Sequence, residues 1–110
     1  MPHYQFVKQK FEDAKSYPYY QQMQDMGTQV VGIWDDHDYG LDDGGAEFMH
    51  KDVMRGFYLD FIGEPKDSPR SLDKHSPIHQ DYLIESGSNF QTHVILLDNR
   101  YDYNKKEQDR

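Results

Sequence analysis

A chain of 110 residues, 35% hydrophobic and 15% aromatic, has room for one small domain and not for two complete ones. Its formal net charge of −8 opposes binding to nucleic acid or to an anionic membrane, because phosphates are repelled at long range. It has no cysteine, which excludes thiolate ligands and leaves carboxylate, imidazole and carbonyl donors for a metal.

The N-terminal residues carry no targeting signal. They lack a basic segment followed by an apolar core, and no apolar run in the chain approaches membrane-spanning length. We therefore expect a soluble chain with no signal peptide and no transmembrane segment. Its compartment and oligomeric state stay open.

The first third of the chain predicts two helices and a strand. Apolar residues recur at near-helical spacing over residues 3–16, which predicts an amphipathic helix. Pro18 suits a first helical turn, so a second short helix is predicted to run from there to Gly27. Residues 29–34 form a β-branched run bounded by glycine and carboxylates, which predicts a buried strand.

The remaining elements are a loop, a helix and a hairpin. Residues 35–45 hold five aspartates and three glycines, a composition typical of a loop. Residues 46–62 have a wide apolar face, which predicts a helix with Arg55 among the side chains that face water. Residues 82–86 and 90–97 predict two strands joined around Gly87.

A polar excursion separates the helix from the hairpin. Residues 66–77 mix serine, proline and charged residues without apolar periodicity, which indicates a surface segment. Three basic residues within it, Lys66, Arg70 and Lys74, are either a weak phosphate-attracting patch or ordinary solvated surface. The sequence leaves both readings open.

The aspartate-rich loop is the strongest candidate for chemistry. Asp35, Asp36, His37 and Asp38 follow directly after the predicted strand, and α/β folds gather ligands at the carboxyl ends of strands. Crowded carboxylates repel one another unless a cation compensates their charge. The competing interpretation is that these aspartates only cap and solvate a turn.

An EF-hand calcium loop does not fit this segment. Asp36, Asp38, Asp42 and Glu47 occupy ligand positions of such a loop, but its sixth position needs a glycine for a sharp turn and holds Leu41. The predicted strand also stands where an EF-hand requires a helix.

Four segments together resemble the alkaline phosphatase D-like (PhoD-like) metallophosphatase family. They are GIWDDHDYG with DDGG at 32–45, FYLDF at 57–61, DSPR at 67–70 and VILLDNRY at 94–101. Threonine is usual in the family where this chain has Asn99. The resemblance implies an α/β fold, part of a calcineurin-like metallophosphoesterase sandwich of two sheets flanked by helices. It also implies a metal-dependent phosphatase or phosphodiesterase that acts on a phosphate ester substrate.

The same resemblance implies roles for individual residues. Asp36 would be a metal ligand, Asp35 a second candidate ligand, and His37 a catalytic residue that faces the phosphate or assists the leaving group. Such enzymes hold a divalent or mixed metal pair, whose identity here (iron, calcium, manganese, magnesium or zinc) stays open. Two cations about 3.5 to 4 Å apart neutralise phosphate oxygens during in-line displacement.

Neighbouring residues are predicted at the rim of the site or beneath it. Trp34 is predicted as a packing anchor under the loop, while Asp38 and Tyr39 are candidate rim residues. Asp98 and Arg100 follow the last predicted strand and are expected either to form a structural ion pair or to approach the site, with Arg100 at its rim.

The resemblance covers residues 1–101 as a partial metallophosphatase domain, followed by a polar tail at 102–110 that is predicted to fray. The family's catalytic domain is longer, and a metal pair needs roughly six or more donors. We therefore expect a fragment with little activity of its own. The alternatives are a non-catalytic acidic metal-binding or interaction module and a disordered acidic fragment.

Overall fold

The structure, a computed structural model, describes residues 3–104, with side chains from residue 5. It contains five helices within that range, which are α1 (His3–Lys15), α2 (Pro18–Asp25), α3 (Asp36–Tyr39), α4 (Lys51–Ile62) and α5 (Pro69–Leu72). Two strands, β1 (Gln80–Glu85) and β2 (Gln91–Leu96), form one antiparallel sheet. The described chain is therefore a mixed helix and strand structure.

Helix α4 is the centre of the core. Its buried side chains include Met54, Tyr58, Leu59 and Ile62, and further buried side chains pack around them from other segments: Trp34, Tyr39, Ile78 and Tyr101. Helix α1 packs against α4 through Phe11, whose ring lies 6.3 Å from that of Tyr58 and 5.1 Å from that of Phe61. Aromatic rings thus supply much of the buried apolar area.

The helices begin and end where local chemistry directs. Pro18 is the first residue of α2, where the missing N–H costs nothing. Gly63 follows α4 in a left-handed conformation with φ of 75°, as a helix C-terminus often requires. The predictions of α1, α2 and the C-terminal end of α4 are confirmed. Among residues 3–104, no helix is both long and apolar enough to cross a membrane.

The predicted strand over residues 29–34 is wrong. This segment has no regular secondary structure, and the sheet among the described residues contains only β1 and β2. It runs instead along α4, where a Cβ built on Gly32 would lie 2.9 Å from the Tyr58 hydroxyl. Its apolar side chains are used in packing, but within residues 3–104 no neighbouring strand is in place to pair with its backbone.

The loop and the long helix also differ from prediction. Residues 36–39 of the predicted loop form the single helical turn α3. Helix α4 begins at Lys51 and not at residue 46, because the Ala46 N–H donates to the Tyr103 carbonyl and the Phe48 N–H to the Gly45 carbonyl. These bonds hold residues 46–50 in turns.

Arg55 was predicted to face water and is 2% exposed. It donates from Nε to the Ser76 carbonyl (2.7 Å) and from Nη1 to the Arg70 carbonyl (2.6 Å). Arg70 in turn donates to Glu64 (2.5 Å) and to the Tyr82 hydroxyl (3.0 Å). The two arginines thereby tie the excursion after α4 to the helix and to the hairpin.

The predicted hairpin is confirmed, with small shifts at its ends. The register pairs Gln80 with Leu96 and Glu85 with Gln91. The Ser86 N–H donates to the Phe90 carbonyl, and Gly87 takes a φ of 78° in the turn. Both strands are largely exposed. Of the predicted tail at 102–110, residues 105–110 lie outside the described part of the chain.

Candidate metal centre

The aspartate-rich segment at residues 35–45, called the acidic loop from here on, follows directly after a buried residue. Trp34 is 2% exposed, its ring lies 5.0 Å from that of Tyr39, and its Nε1 donates to Asp98 Oδ1 at 2.8 Å. The prediction that Trp34 packs beneath the loop is confirmed. The indole fixes where the chain emerges to the surface at Asp35.

Helix α3 gives the loop its shape. The Asp35 N–H donates to Asp38 Oδ2 at 3.2 Å, which satisfies one amide at the start of the turn. Gly40 ends α3 with φ of 116°, a conformation that side chains rarely adopt. The chain reverses there, and the reversal returns Asp42 to the side of His37.

Three donors come together after this reversal. His37 Nε2 lies 3.3 Å from Asp42 Oδ1 and 3.8 Å from Asp36 Oδ2, and one donor atom from each residue lies within 4.8 Å of the others. Two ligands of one ion cannot be farther apart than twice the metal–ligand distance. That limit is about 4.2 Å for zinc and about 4.8 Å for calcium. The spacing of all three atoms is therefore within the limit for a calcium-sized cation, and the two distances from His37 are within that for zinc as well.

The surroundings of Asp36 favour its ionised form. Its Oδ2 accepts the Asp43 N–H and its Oδ1 accepts the His37 N–H, each at 3.0 Å. The bond from Asp43 is the main reason that the pKa of Asp36 lies below its ordinary value. The positive charge of His37, when protonated, and that of Arg100 add to the effect, and burial opposes it. Lone pairs on both oxygens stay available to a cation.

Asp35 stands apart from this donor cluster. Its Oδ1 accepts from Arg100 Nη2 at 2.8 Å and from Arg100 Nε at 3.0 Å. Arg100 Nη1 also lies 3.3 Å from Asp43 Oδ1. The Arg100 guanidinium therefore bridges the carboxylates of Asp35 and Asp43. The structure brings Arg100 to the acidic loop, as expected for a rim residue, but Asp35 is paired with this arginine and is not part of the donor cluster.

The Asp98 carboxylate positions Arg100 without pairing with its guanidinium. Asp98 Oδ1 accepts the backbone N–H of Arg100 at 2.9 Å, and Oδ2 accepts the N–H of Ile78 at 3.0 Å. The same carboxylate also accepts the hydrogen bond from the Trp34 indole. One buried group therefore holds both Trp34, which precedes the acidic loop, and the backbone of Arg100, whose side chain contacts that loop.

Tyr39 and Asp38 have different surroundings. Tyr39 is fully buried, and its hydroxyl donates to the Gly45 carbonyl at 2.6 Å. Burial raises the pKa of Tyr39 far above its ordinary value, so the phenol stays protonated and links α3 to the end of the loop. Asp38 is exposed and accepts a hydrogen bond from the backbone N–H of Asp35, which precedes α3.

Asp42 is the residue that sequence reasoning missed as part of this cluster. It was named as a position of a calcium loop that does not fit, and within the DDGG part of the family-like segment, but was given no role as a ligand. The available signal was a glycine between His37 and Asp42, since a reversal at Gly40 brings residues five apart to the same side. Asp36 and His37, by contrast, lie together as their adjacency suggested.

The donor set is chemically suited to a cation. Two carboxylates and an imidazole are ligands accepted by zinc, iron and manganese, and the carboxylates suit magnesium and calcium. All three residues lie at or near the surface, with the side chain of His37 80% exposed. Scans of the chain against protein-family models, curated proteins and solved structures found no match.

Proposed function

We propose that this chain carries part of the metal site of a phosphoric ester hydrolase, a phosphatase or phosphodiesterase related to the alkaline phosphatase D-like family. The observation that carries the proposal is the convergence of Asp36, His37 and Asp42 within 4.8 Å. The sequence segments that resemble the family also support it, and three of the four lie outside the donor cluster. On this proposal the chain belongs to a calcineurin-like sandwich of two sheets flanked by helices.

Asp36 and Asp42 are the proposed metal ligands, and His37 faces the phosphate. A cation held there would neutralise charge on the phosphate oxygens. His37 Nε2 is close enough to both carboxylates to be a third ligand, or it donates a proton or hydrogen bond to the ester. Asp35 and Asp43 are restrained by Arg100, which supports a role for this arginine in shaping the loop.

Metal binding is the direct test. Calorimetric titration of the chain with Mn²⁺ should give a saturable signal of one site, and Asp36→Ala and Asp42→Ala should each weaken binding by about tenfold, because a coordinating anion is lost. Asp25→Ala removes an equal charge from an exposed position at the end of α2 and should leave the affinity nearly unchanged. Equal losses in all three variants would show that bulk charge alone attracts the metal.

Turnover should be low in this chain. Three donors serve one cation, whereas a metal pair needs roughly six or more, and holding both cations with the phosphate supplies most of the rate. With added Mn²⁺, hydrolysis of p-nitrophenyl phosphate should therefore stay far below the roughly 1 to 1,000 per second typical of enzymes. Turnover within that range that is lost in Asp36→Ala would contradict this expectation and establish a complete catalyst.

A non-catalytic metal-binding module is the second candidate. The exposure of His37 and Asp42, whose side chains are 80% and 87% exposed, favours it, because catalytic sites usually exclude water from the reacting groups. The two candidates differ in one measurement. Both candidates bind Mn²⁺ through Asp36. When the chain is joined to the remaining segments of a catalytic domain, a hydrolase fragment gains phosphate ester hydrolysis that depends on Asp36, whereas a metal-binding module does not.

A further inference from the structure

A polar cavity lies away from the acidic loop, between α4 and α5. Its volume is about 270 Å³. Three cationic side chains line it, Arg55, Lys66 and Lys74, together with Ser71. Two carboxylates, Asp52 and Asp60, are also part of its wall, so its preference depends on which of these groups already have partners.

Arg55 is the unusual member of this wall. It is 2% exposed, and its Nη2 has no hydrogen-bond partner among the described residues. The two partners of its other nitrogens are backbone carbonyls, of Ser76 and Arg70, and no carboxylate of the described chain forms an ion pair with it. Burial lowers the pKa of Arg55 below its ordinary value. The nearby carboxylates of Asp73 and Asp52 oppose this effect, but a buried nitrogen without a hydrogen-bond partner is itself costly.

The carboxylates of the wall already have partners. Asp52 accepts the Tyr101 hydroxyl at 2.5 Å and lies 3.0 Å from His75 Nδ1. Asp60 is paired with Lys66. Neither carboxylate is hydrogen-bonded to the guanidinium, although the charge of Asp52 lies near enough to favour the charged form of Arg55.

The unused hydrogen-bonding capacity of the cavity is in donors. The structure shows no partner for the Lys74 ammonium or for the Ser71 hydroxyl within residues 5–104, and Arg55 Nη2 adds a third unused donor. Groups of this kind, a guanidinium, an ammonium and a hydroxyl, are the donors that bind oxyanions.

We propose that this cavity binds a phosphate group, either as inorganic phosphate or at the end of a phosphate monoester. The anion adds a negative charge beside Arg55 and accepts hydrogen bonds from Lys74 and Ser71. Of the three basic residues in the excursion, Lys74 contributes, because Lys66 is paired with Asp60 and Arg70 with Glu64. The site contains no residue of the acidic loop and goes beyond the proposed function.

The test is an NMR titration of the ¹⁵N-labelled chain with inorganic phosphate at constant ionic strength. EDTA is present throughout, so that no metal bound at the acidic loop can hold the anion. Saturable shifts of the amides of Arg55, Ser71 and Lys74 are expected, and an equal ionic strength of chloride should not reproduce them. A net charge of −8 makes non-specific attraction of phosphate weak.

Two variants localise the binding without disturbing buried Arg55. Lys74→Glu should weaken phosphate binding by about tenfold, because it replaces an attractive charge with a repulsive one, and Ser71→Ala by about threefold. Lys8→Glu makes the same charge change on α1, at an exposed lysine, and should leave the affinity nearly unchanged.

Two results would overturn the proposal. One is the absence of saturable shifts in the unmodified chain, and the other is an equal effect of Lys74→Glu and Lys8→Glu. A parallel titration with O-phosphoserine distinguishes the two sources, since tighter binding of the monoester assigns the site to an organic phosphate and tighter binding of the free ion to inorganic phosphate. Because EDTA removes the metal, this outcome is independent of Mn²⁺ binding at Asp36.

Discussion

The buried carboxylate of Asp98 should be the most sensitive single group in the structure. Asp98 is 8% exposed and accepts four hydrogen bonds, from the Trp34 indole and from the backbone N–H groups of Ile78, Arg100 and Tyr101. Asp98→Ala leaves these donors without an acceptor, and each unsatisfied buried donor costs about 1 to 3 kcal/mol. Because the four contacts share one group and some donors will find water, we expect a total loss of about 3 to 5 kcal/mol.

Such a loss is a large part of the roughly 5 to 15 kcal/mol by which domains are stable. Asp98→Asn should cost less, about 2 kcal/mol, because one oxygen stays an acceptor while the amide nitrogen opposes a donor. Urea unfolding monitored by the fluorescence of Trp34, the one tryptophan of the chain, measures both values. Asp67→Ala, at an exposed aspartate, should change the unfolding free energy by less than about 0.5 kcal/mol. A loss below about 1 kcal/mol in Asp98→Ala would refute this account of the loop's support.

Two further predictions concern stability. Burial raises the pKa of Glu64, but the hydrogen bond and charge of Arg70 outweigh it, so the pKa lies below its ordinary value of 4.5. The stability from this pair is therefore present above pH 4.5 and is lost as the pH falls through the lowered pKa, and Glu64→Gln should flatten the acid limb of a plot of unfolding free energy against pH. Gly45→Ala would drive a Cβ into the Tyr103 backbone and should cost about 2 kcal/mol or more in urea unfolding. Gly56→Ala, with open space around it in α4, should instead add about 0.5 to 1 kcal/mol, and equal effects of the two would be inconsistent with the tight packing at Gly45.

Local patterns were sufficient for α1, α2, the end of α4 and the hairpin. Helix α2 follows from Pro18, the end of α4 from Gly63, and the hairpin from two strand-like runs around Gly87, and each of these signals acts within a few residues. The strand predicted at residues 29–34 depended on a partner far away in sequence. Hydrophobic periodicity reports that a segment is buried, but it does not report whether another strand lies beside it.

The candidate site likewise contains some residues that the sequence could identify and others that only the fold brings together. Asp36 and His37 were singled out by their place after the predicted strand and by the family resemblance, and they do lie together. Asp42 joins them through the reversal at Gly40, and Arg100 reaches Asp35 across 65 residues of sequence. The burial of Arg55 could not be read from its position on the predicted polar face, because its partners are carbonyls of the excursion 15 and 21 residues later.

The contact between Trp34 and Asp98 joins residues 64 apart, which has a consequence for the order in which the chain folds during synthesis. Closing so long a loop is entropically expensive and is repaid only when both partners are present. Helices α1 and α2 are synthesised first, but helices this short are marginal in water until α4 is present for α1 to pack against. The bond that anchors the acidic loop can form only after Asp98 has followed. We expect the aspartates of this loop to be the last part of the described chain to become protected from hydrogen exchange during refolding.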